Sequence, residues 1–291
     1  MRADPGDGLR EDLIPLSDAA GTVSAMGPGV TRWRVGDRVA PTFFADWQQG
    51  PFRAAYFGSA LGGGQTDGVL SEQIIVAQDA LVAVPPHLSP AQAAVLPCAG
   101  VTAWHALLER GGLKAGDTLL VQGAGGVALL ALQMAVAVDA RVIVMSSSDE
   151  KLQRARELGA WQTINDRVQP QWDQEVLRLT GGEGATHVLE LGGPDTFERS
   201  IASVAAGGHI LQIGVLRGFG PRPNLLPLQF GNASIHGVTV GSGEHFDRMN
   251  RFLSEHAIRP AIDREFAFEE VEAAYDHLQS GKHFGKVAIV L

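Results

Sequence analysis

The chain has 291 residues, of which 45% are hydrophobic and 19% charged, with a net charge of −9. Those values are typical of a soluble globular protein long enough for two domains, and an acidic balance with no offsetting basic cluster excludes a nucleic-acid footprint. The most apolar segment, residues 127–138, is too short to cross a bilayer and is followed at once by Asp139 and Arg141.

At the N-terminus, Asp4, Asp7, Glu11 and Asp12 stand where a signal peptide would need an apolar core. Residues 1–90 alternate short β-like runs with glycine turns. Strands are expected over 20–26, 38–41 and 69–84, the pattern of a mostly β domain. An aromatic-rich loop runs from Phe43, Phe44 and Trp47 to Tyr56 and Phe57. Cys98 is the single cysteine. It rules out an intrachain disulfide and a four-cysteine zinc site, and it fits a reducing compartment, so a cytoplasmic protein is expected.

From residue 98 to 258 strands alternate with helices. Strands are expected at 118–123, 141–145, 163–165, 187–191, 208–214 and 234–240, with helices at 126–138, 150–158, 171–179 and 245–256 between or after them. That alternation defines a parallel sheet covered on both faces. A strand at 262–266, a helix at 268–279 and a strand at 286–290 close the chain. The helix over 126–138 is apolar all round except for Gln133, which marks it as buried.

The most informative stretch is Leu119-Leu120-Val121-Gln122-Gly123-Ala124-Gly125-Gly126-Val127-Ala128. An apolar run stops at a glycine turn and a helix follows. The first glycine permits the tight turn, the second lets backbone approach a pyrophosphate, and the small Ala128 allows close helix–strand packing. Amides at the helix start and the helix dipole then attract the phosphates. An NAD-selective site places a carboxylate about 20 residues further on, where it binds the ribose 2′-OH. Here the chain reads Met145-Ser146-Ser147-Ser148-Asp149-Glu150-Lys151, with Ser146 at the expected strand end. Hydroxyls can donate to a 2′-phosphate and Lys151 can neutralise it, so NADP(H) is expected over NAD(H). Ser147 to Glu150 also reads as a capping box, compatible with the same site.

Further motifs complete a pattern: Ala19-Ala20-Gly21-Thr22-Val23, Val35-Gly36-Asp37-Arg38-Val39, Leu96-Pro97-Cys98-Ala99-Gly100-Val101-Thr102-Ala103-Trp104, and Phe284-Gly285-Lys286-Val287. Together with the glycine turn they resemble the medium-chain dehydrogenase/reductase superfamily, in its zinc-independent quinone-reductase-like and alcohol-dehydrogenase-like branch. The resemblance implies an α/β fold in which a Rossmann doubly wound parallel sheet (98–258) is inserted into a GroES-like, mostly β domain (1–97 plus 259–291), with the active site between them. It implies cofactor contacts at Thr102, at the turn of Gly123, Gly125, Gly126 and Val127, and at Ser146 and Lys151. It also implies contacts at Val215, at Val240, Gly241 and Ser242, and at Lys286. Family members commonly dimerise through the sixth Rossmann strand, here around 234–240.

Two departures from the family matter. Zinc-dependent relatives carry Gly-His-Glu where this chain has Leu16-Ser17-Asp18, so Cys98 alone of those ligand positions survives. No H-E-x-x-H or H-x-H pairing is present, so no zinc is expected and Cys98 reads as a small core residue. The chain also begins almost where the family's first strands end. A GroES-like domain incomplete at its N-terminus is therefore expected, with a more open substrate cleft and an unpaired sheet edge.

The expected chemistry is hydride transfer between NADPH and a small apolar carbonyl, enone or quinone, with hydrogen-bond donors stabilising the oxyanion. Tyr56 is the candidate proton donor, with aromatic packing as its competing role. Phe43, Phe44, Trp47 and Phe57 either line a substrate pocket or pack the loop. His105, His187, His209 and His236 read as structural, and helix capping accounts for Asp195 beside Glu190. Two other functions stay open: an NAD(P)-linked alcohol dehydrogenase working oxidatively, and a non-catalytic NADPH-binding paralogue.

Overall fold

The computed structural model describes residues 10, 12–215 and 223–291; Asp4, Asp7 and Glu11 lie outside them. In chain order the strands are β1 (Gly21–Thr22), β2 (Arg38–Pro41), β3 (Leu81–Ala83), β4 (Thr118–Gln122), β5 (Arg141–Ser146), β6 (Gln162–Asn165), β7 (Ala185–Glu190), β8 (Val204–Gln212), β9 (Ser234–Gly237), β10 (Ile262–Ala267) and β11 (Lys286–Val290). The helices are α1 (Pro90–Ala94), α2 (Val101–Trp104), α3 (Gly126–Ala137), α4 (Asp149–Glu157), α5 (Trp172–Leu179), α6 (Pro194–Ser203), α7 (Leu226–Gly231), α8 (Gly243–Glu255) and α9 (Val271–Gln279). They fall into two units, residues 1–101 with 240–291 and residues 102–239.

The second unit is built on six parallel strands in the order β6-β5-β4-β7-β8-β9. The first strand of the unit lies in the middle. The chain winds outward through β5 and β6, then returns to β7 and winds the other way, which is the doubly wound Rossmann arrangement. Strands of such a sheet are buried on both faces, and all five residues of β4 are buried. On one face Leu120, Ile143, Ile164, Val188 and Ile210 pack with Trp172 and Val176 of α5 and Phe197 and Ile201 of α6. Helix α3 buries Ala128, Leu129, Leu130, Ala131, Leu132, Met134 and Ala135, as its all-round apolar sequence requires. Strand β8 begins earlier than its apolar run, because Val204 pairs with Ala185 ahead of a register shift.

The first unit contains a three-stranded antiparallel sheet, β1-β2-β3, and a parallel pair, β10 with β11. The long strands expected over 20–26 and 69–84 shrink to Gly21–Thr22 and Leu81–Ala83. Around residue 69 the backbone amides go elsewhere: Gly68 N–H donates to Ile14 O at 2.7 Å and Val69 N–H to Leu16 O at 2.9 Å. Ile75, apolar in a strand-like pattern, is fully exposed.

Helix α8 was expected with the Rossmann part and instead belongs to the first unit. Its first amides, Gly243 and Glu244, donate to Trp47 O at 2.9 Å and Gln48 O at 2.8 Å, and Asn250 Nδ2 donates to Ala83 O at 2.9 Å. Those bonds satisfy part of the helix start and fix it to β3 and the aromatic loop.

Candidate functional site

The glycine turn sits at the carboxyl edge of the six-stranded sheet, beside the point where the winding reverses. Gly123 has φ +85°, a conformation that favours glycine, and its N–H donates to Met145 O at 2.6 Å, tying the turn to β5. Gly125 is the N-cap of α3 and brings no capping side chain to it. A Cβ added at Gly123 or Gly125 would meet no protein atom within 4 Å. The turn is therefore open in front of an uncapped helix start, which suits a diphosphate approaching the backbone. Gly126 and Val127 form the first turn of α3, and Ala128 is fully buried against the sheet.

One strand over, Ser146 ends β5 and is buried, its hydroxyl accepting the N–H of Ser148 at 3.4 Å. The cap of α4 differs by one residue from the sequence pattern: Ser148, not Ser147, accepts the N–H of Lys151 at 3.4 Å, and no reciprocal box forms. Asp149 accepts from Asn165 Nδ2 at 2.7 Å, which engages that carboxylate with the end of β6. Val215, after β8, is 44% exposed and is the last described residue before 223. Thr102 belongs to the same unit and is buried in α2, which lies between two π-helical turns, Leu96–Gly100 and His105–Arg110. Wide turns of that kind are frequent at functional sites.

Between β4 and β7 lies a group of residues whose role the sequence pattern did not show. Glu190, at the end of β7, is wholly buried, and Gln122, the residue before Gly123, donates to it through Nε2 at 2.8 Å. Glu190 Oε1 accepts the N–H groups of Gly192 and Gly193, each at 2.9 Å, which fixes the two residues leading into α6. The N-cap residue is Gly193, and neither it nor Asp195 supplies a side-chain cap.

The remaining predicted site residues lie in the first unit. Phe44 and Trp47 are 1% exposed, so they pack the aromatic loop, whereas Phe57 is 57% exposed. Tyr56 stacks on Trp47, with ring centroids 6.0 Å apart and planes 11° from parallel, and is half-buried. Leu16 has φ +70°, so the place where zinc-dependent relatives carry glycine keeps a glycine-like backbone here. Ser17 Oγ donates to Asp18 Oδ1 at 2.9 Å, and Lys286 Nζ lies 3.4 Å from Asp18 Oδ2. Lys286 is thus held by a carboxylate.

Val240 has φ +45°, a strained conformation for a β-branched residue. A Cβ on Gly241 would stand 2.6 Å from Val101 Cγ1 and 3.0 Å from His245 Nδ1, so only glycine fits. Ser242 caps α8 in a reciprocal pair with His245. Among the described residues no group of three or more His, Cys, Asp or Glu side chains could hold a metal ion.

Comparison with known proteins accords with this geometry. Residues 3–86 match the family model described as alcohol dehydrogenase GroES-like domain, and residues 126–255 match zinc-binding dehydrogenase. A zinc-type alcohol dehydrogenase-like protein of Schizosaccharomyces pombe is 40% identical over 97% of this chain and 83% of its own length. A quinone oxidoreductase of Pseudomonas aeruginosa is 32% identical over 98% of this chain and 84% of its own. Among solved structures, a Sinorhizobium meliloti protein described as a candidate alcohol dehydrogenase superposes with a TM-score of 0.91 at 43% identity, covering 97% of this chain and 83% of that one. A mycobacterial protein solved with NADPH has a TM-score of 0.77 at 27% identity, covering 95% and 82%. Fold and site define a two-unit nucleotide-dependent oxidoreductase. The chain belongs to the medium-chain dehydrogenase/reductase superfamily, the NAD(P)-dependent enzymes that join a GroES-like domain to a Rossmann domain.

Proposed function

We propose that the protein is a zinc-independent reductase that uses NADPH to reduce a small apolar carbonyl, enone or quinone. The observation that carries this reading is the open turn at Gly123 and Gly125 in front of an uncapped α3. The amides of Gly125, Gly126 and Val127 would hold the diphosphate. Ser146, whose hydroxyl already accepts the Ser148 amide, has its proton to give a 2′-phosphate, and Lys151 adds positive charge in the first turn of α4. The bond from Asn165 draws the Asp149 carboxylate toward β6 and favours NADPH over NADH.

The nicotinamide, when bound, supplies the hydride. Thr102, Val215, Val240, Gly241, Ser242 and Lys286 are the residues assigned to orient the cofactor, and Tyr56 is the one assigned to give a proton to the oxyanion. Zinc independence rests on the donor set. The position of a ligand histidine holds Ser17, and Asp18 is bonded to Ser17 and Lys286. A metal site built from Cys98 with these partners would have one thiolate and no imidazole, short of the ligand set zinc prefers.

The six-stranded sheet ends at β9, and Phe230 and Leu226 on the neighbouring α7 are 80% and 53% exposed. Both features favour a homodimer joined along β9. Among the described residues no helix is long and apolar enough to cross a membrane, and the single cysteine supports a cytoplasmic setting.

The deciding assay follows NADPH oxidation across a panel of quinones, enals and ketones. Turnover on a member of the panel supports a reductase. Turnover only of alcohols with oxidised cofactor would favour the dehydrogenase direction, and binding without turnover would favour a binding protein.

A further inference from the structure

We propose that Glu190 is a positioning residue for the cofactor: one buried carboxylate that fixes the three loops leaving β4, β7 and β8. The inference rests on the reading that the turn after β4 holds a dinucleotide.

Five donors converge on this carboxylate, which has no exposed surface. Oε1 accepts the N–H groups of Gly192 and Gly193 at 2.9 Å and Thr196 Oγ1 at 2.5 Å. Oε2 accepts Gln122 Nε2 at 2.8 Å and the hydroxyl of Ser200. The backbone of the same residue reaches the third loop, since Glu190 O accepts the N–H groups of Ile213 at 3.0 Å and Gly214 at 3.2 Å. Gln122 closes the link: its Oε1 accepts the amides of Leu191 and Gly192, each at 3.2 Å, one residue before the turn at Gly123.

The loops interlock closely. A Cβ on Gly192 would stand 2.4 Å from Thr196 Oγ1, and one on Gly214 would stand 2.3 Å from Leu191 O. Holding the loop between β7 and α6 would need only the Gly192 and Gly193 amides. The bonds to Gln122 and Ser200, and the two amides on the backbone carbonyl, tie that loop to the diphosphate turn and to the segment leading to Val215.

Every partner of the Glu190 side chain donates, so the site requires acceptors on both oxygens. Glu190→Gln keeps the shape and turns one oxygen into an N–H₂ group facing donors. Either the Gly192–Thr196 side or the Gln122–Ser200 side must then move. The adenosine 2′ region at Ser146 and Lys151, at the end of β5, makes none of these bonds.

The test titrates wild type, Glu190→Gln and Thr196→Val with NADPH and NADH, and with 2′-AMP and adenosine, which carry no 5′-phosphate, as probes of the adenosine end. For the dinucleotide and the adenosine probe that wild type binds, the proposal expects Glu190→Gln to weaken the dinucleotide about tenfold and to leave the adenosine probe within about twofold. Thr196→Val, which loses one donor, should show a smaller change in the same direction, and it decides the matter if Glu190→Gln does not fold. Dinucleotide affinity unchanged in both variants would overturn the proposal, and so would parallel loss of both ligands, which signals general damage. If wild type binds neither dinucleotide, the reading of the turn fails first, and this inference with it.

Discussion

His209 Nδ1 lies 3.0 Å from His236 Nε2, so one imidazole donates to the other across the pairing of β8 with β9. The row continues to His187 on β7, whose ring centroid is 5.2 Å from that of His209 and whose Nε2 meets Gly111 O at 2.8 Å. Burial holds the His187 imidazole below its ordinary value, against the opposing pull of the Gly111 carbonyl and Asp117, with His209 and Lys114 adding to the lowering. Burial also lowers His236, helped by His209, Arg110 and His187.

A base that is harder to protonate when folded takes up more protons when unfolded. Its contribution is complete above the ordinary histidine value of 6.5 and is lost as pH falls below it. Urea unfolding should therefore give a lower midpoint at about pH 5.5 than at about pH 7.5, and His236→Asn should flatten that slope. A midpoint independent of pH across this window would contradict the reading of the histidine row.

Cofactor choice gives a second expectation. Lys151→Ala should weaken NADPH about tenfold, the worth of one charge-assisted contact of about 1.4 kcal/mol, and leave NADH unaffected. Calorimetry with both cofactors checks it. An equal loss for both would mean that the substitution harms α4 rather than the 2′ site.

Tyr56→Phe keeps the ring that stacks on Trp47 and removes only the hydroxyl. If that hydroxyl protonates the product, kcat should fall by about 10²-fold or more with NADPH affinity unchanged. An unaltered kcat would leave Tyr56 as a packing residue of the aromatic loop.

Metal analysis tests the donor set formed by Ser17, Asp18 and Lys286. Purified protein should carry no stoichiometric zinc after dialysis, and chelator treatment should leave turnover unchanged. A full equivalent of tightly held zinc, lost together with activity, would contradict the metal-free mechanism.

The Rossmann unit was legible in the sequence because doubly buried strands are continuous apolar runs and the turn at Gly123 is chemically distinctive. The first unit was less so. Residues 69–77 look like a strand, yet pairing, not pattern, decides a strand, and the Gly68 and Val69 amides are taken by Ile14 and Leu16. The Ser148 cap sits one residue beyond the pattern because either serine can accept a first-turn amide, although only Ser147 has Glu150 three residues on. Glu190 was hidden for another reason. Gln122 is 68 residues from Glu190 and 78 from Ser200, and only the β4–β7 pairing and α6 bring the three together. Likewise, only the strand register sets His209 beside His236.

The most direct test of the central claim is NADPH binding to Gly125→Val. Gly125 has φ −85° and ψ −174°, an extended backbone that valine adopts, and its Cβ would meet no protein atom within 4 Å. The fold should survive at a cost of about 1 kcal/mol for the poorer N-cap. The side chain would stand where the diphosphate is placed, so affinity should drop by about 100-fold or more, about 2.7 kcal/mol. A folded Gly125→Val that binds NADPH as tightly as wild type would show that the cofactor does not lie on this turn.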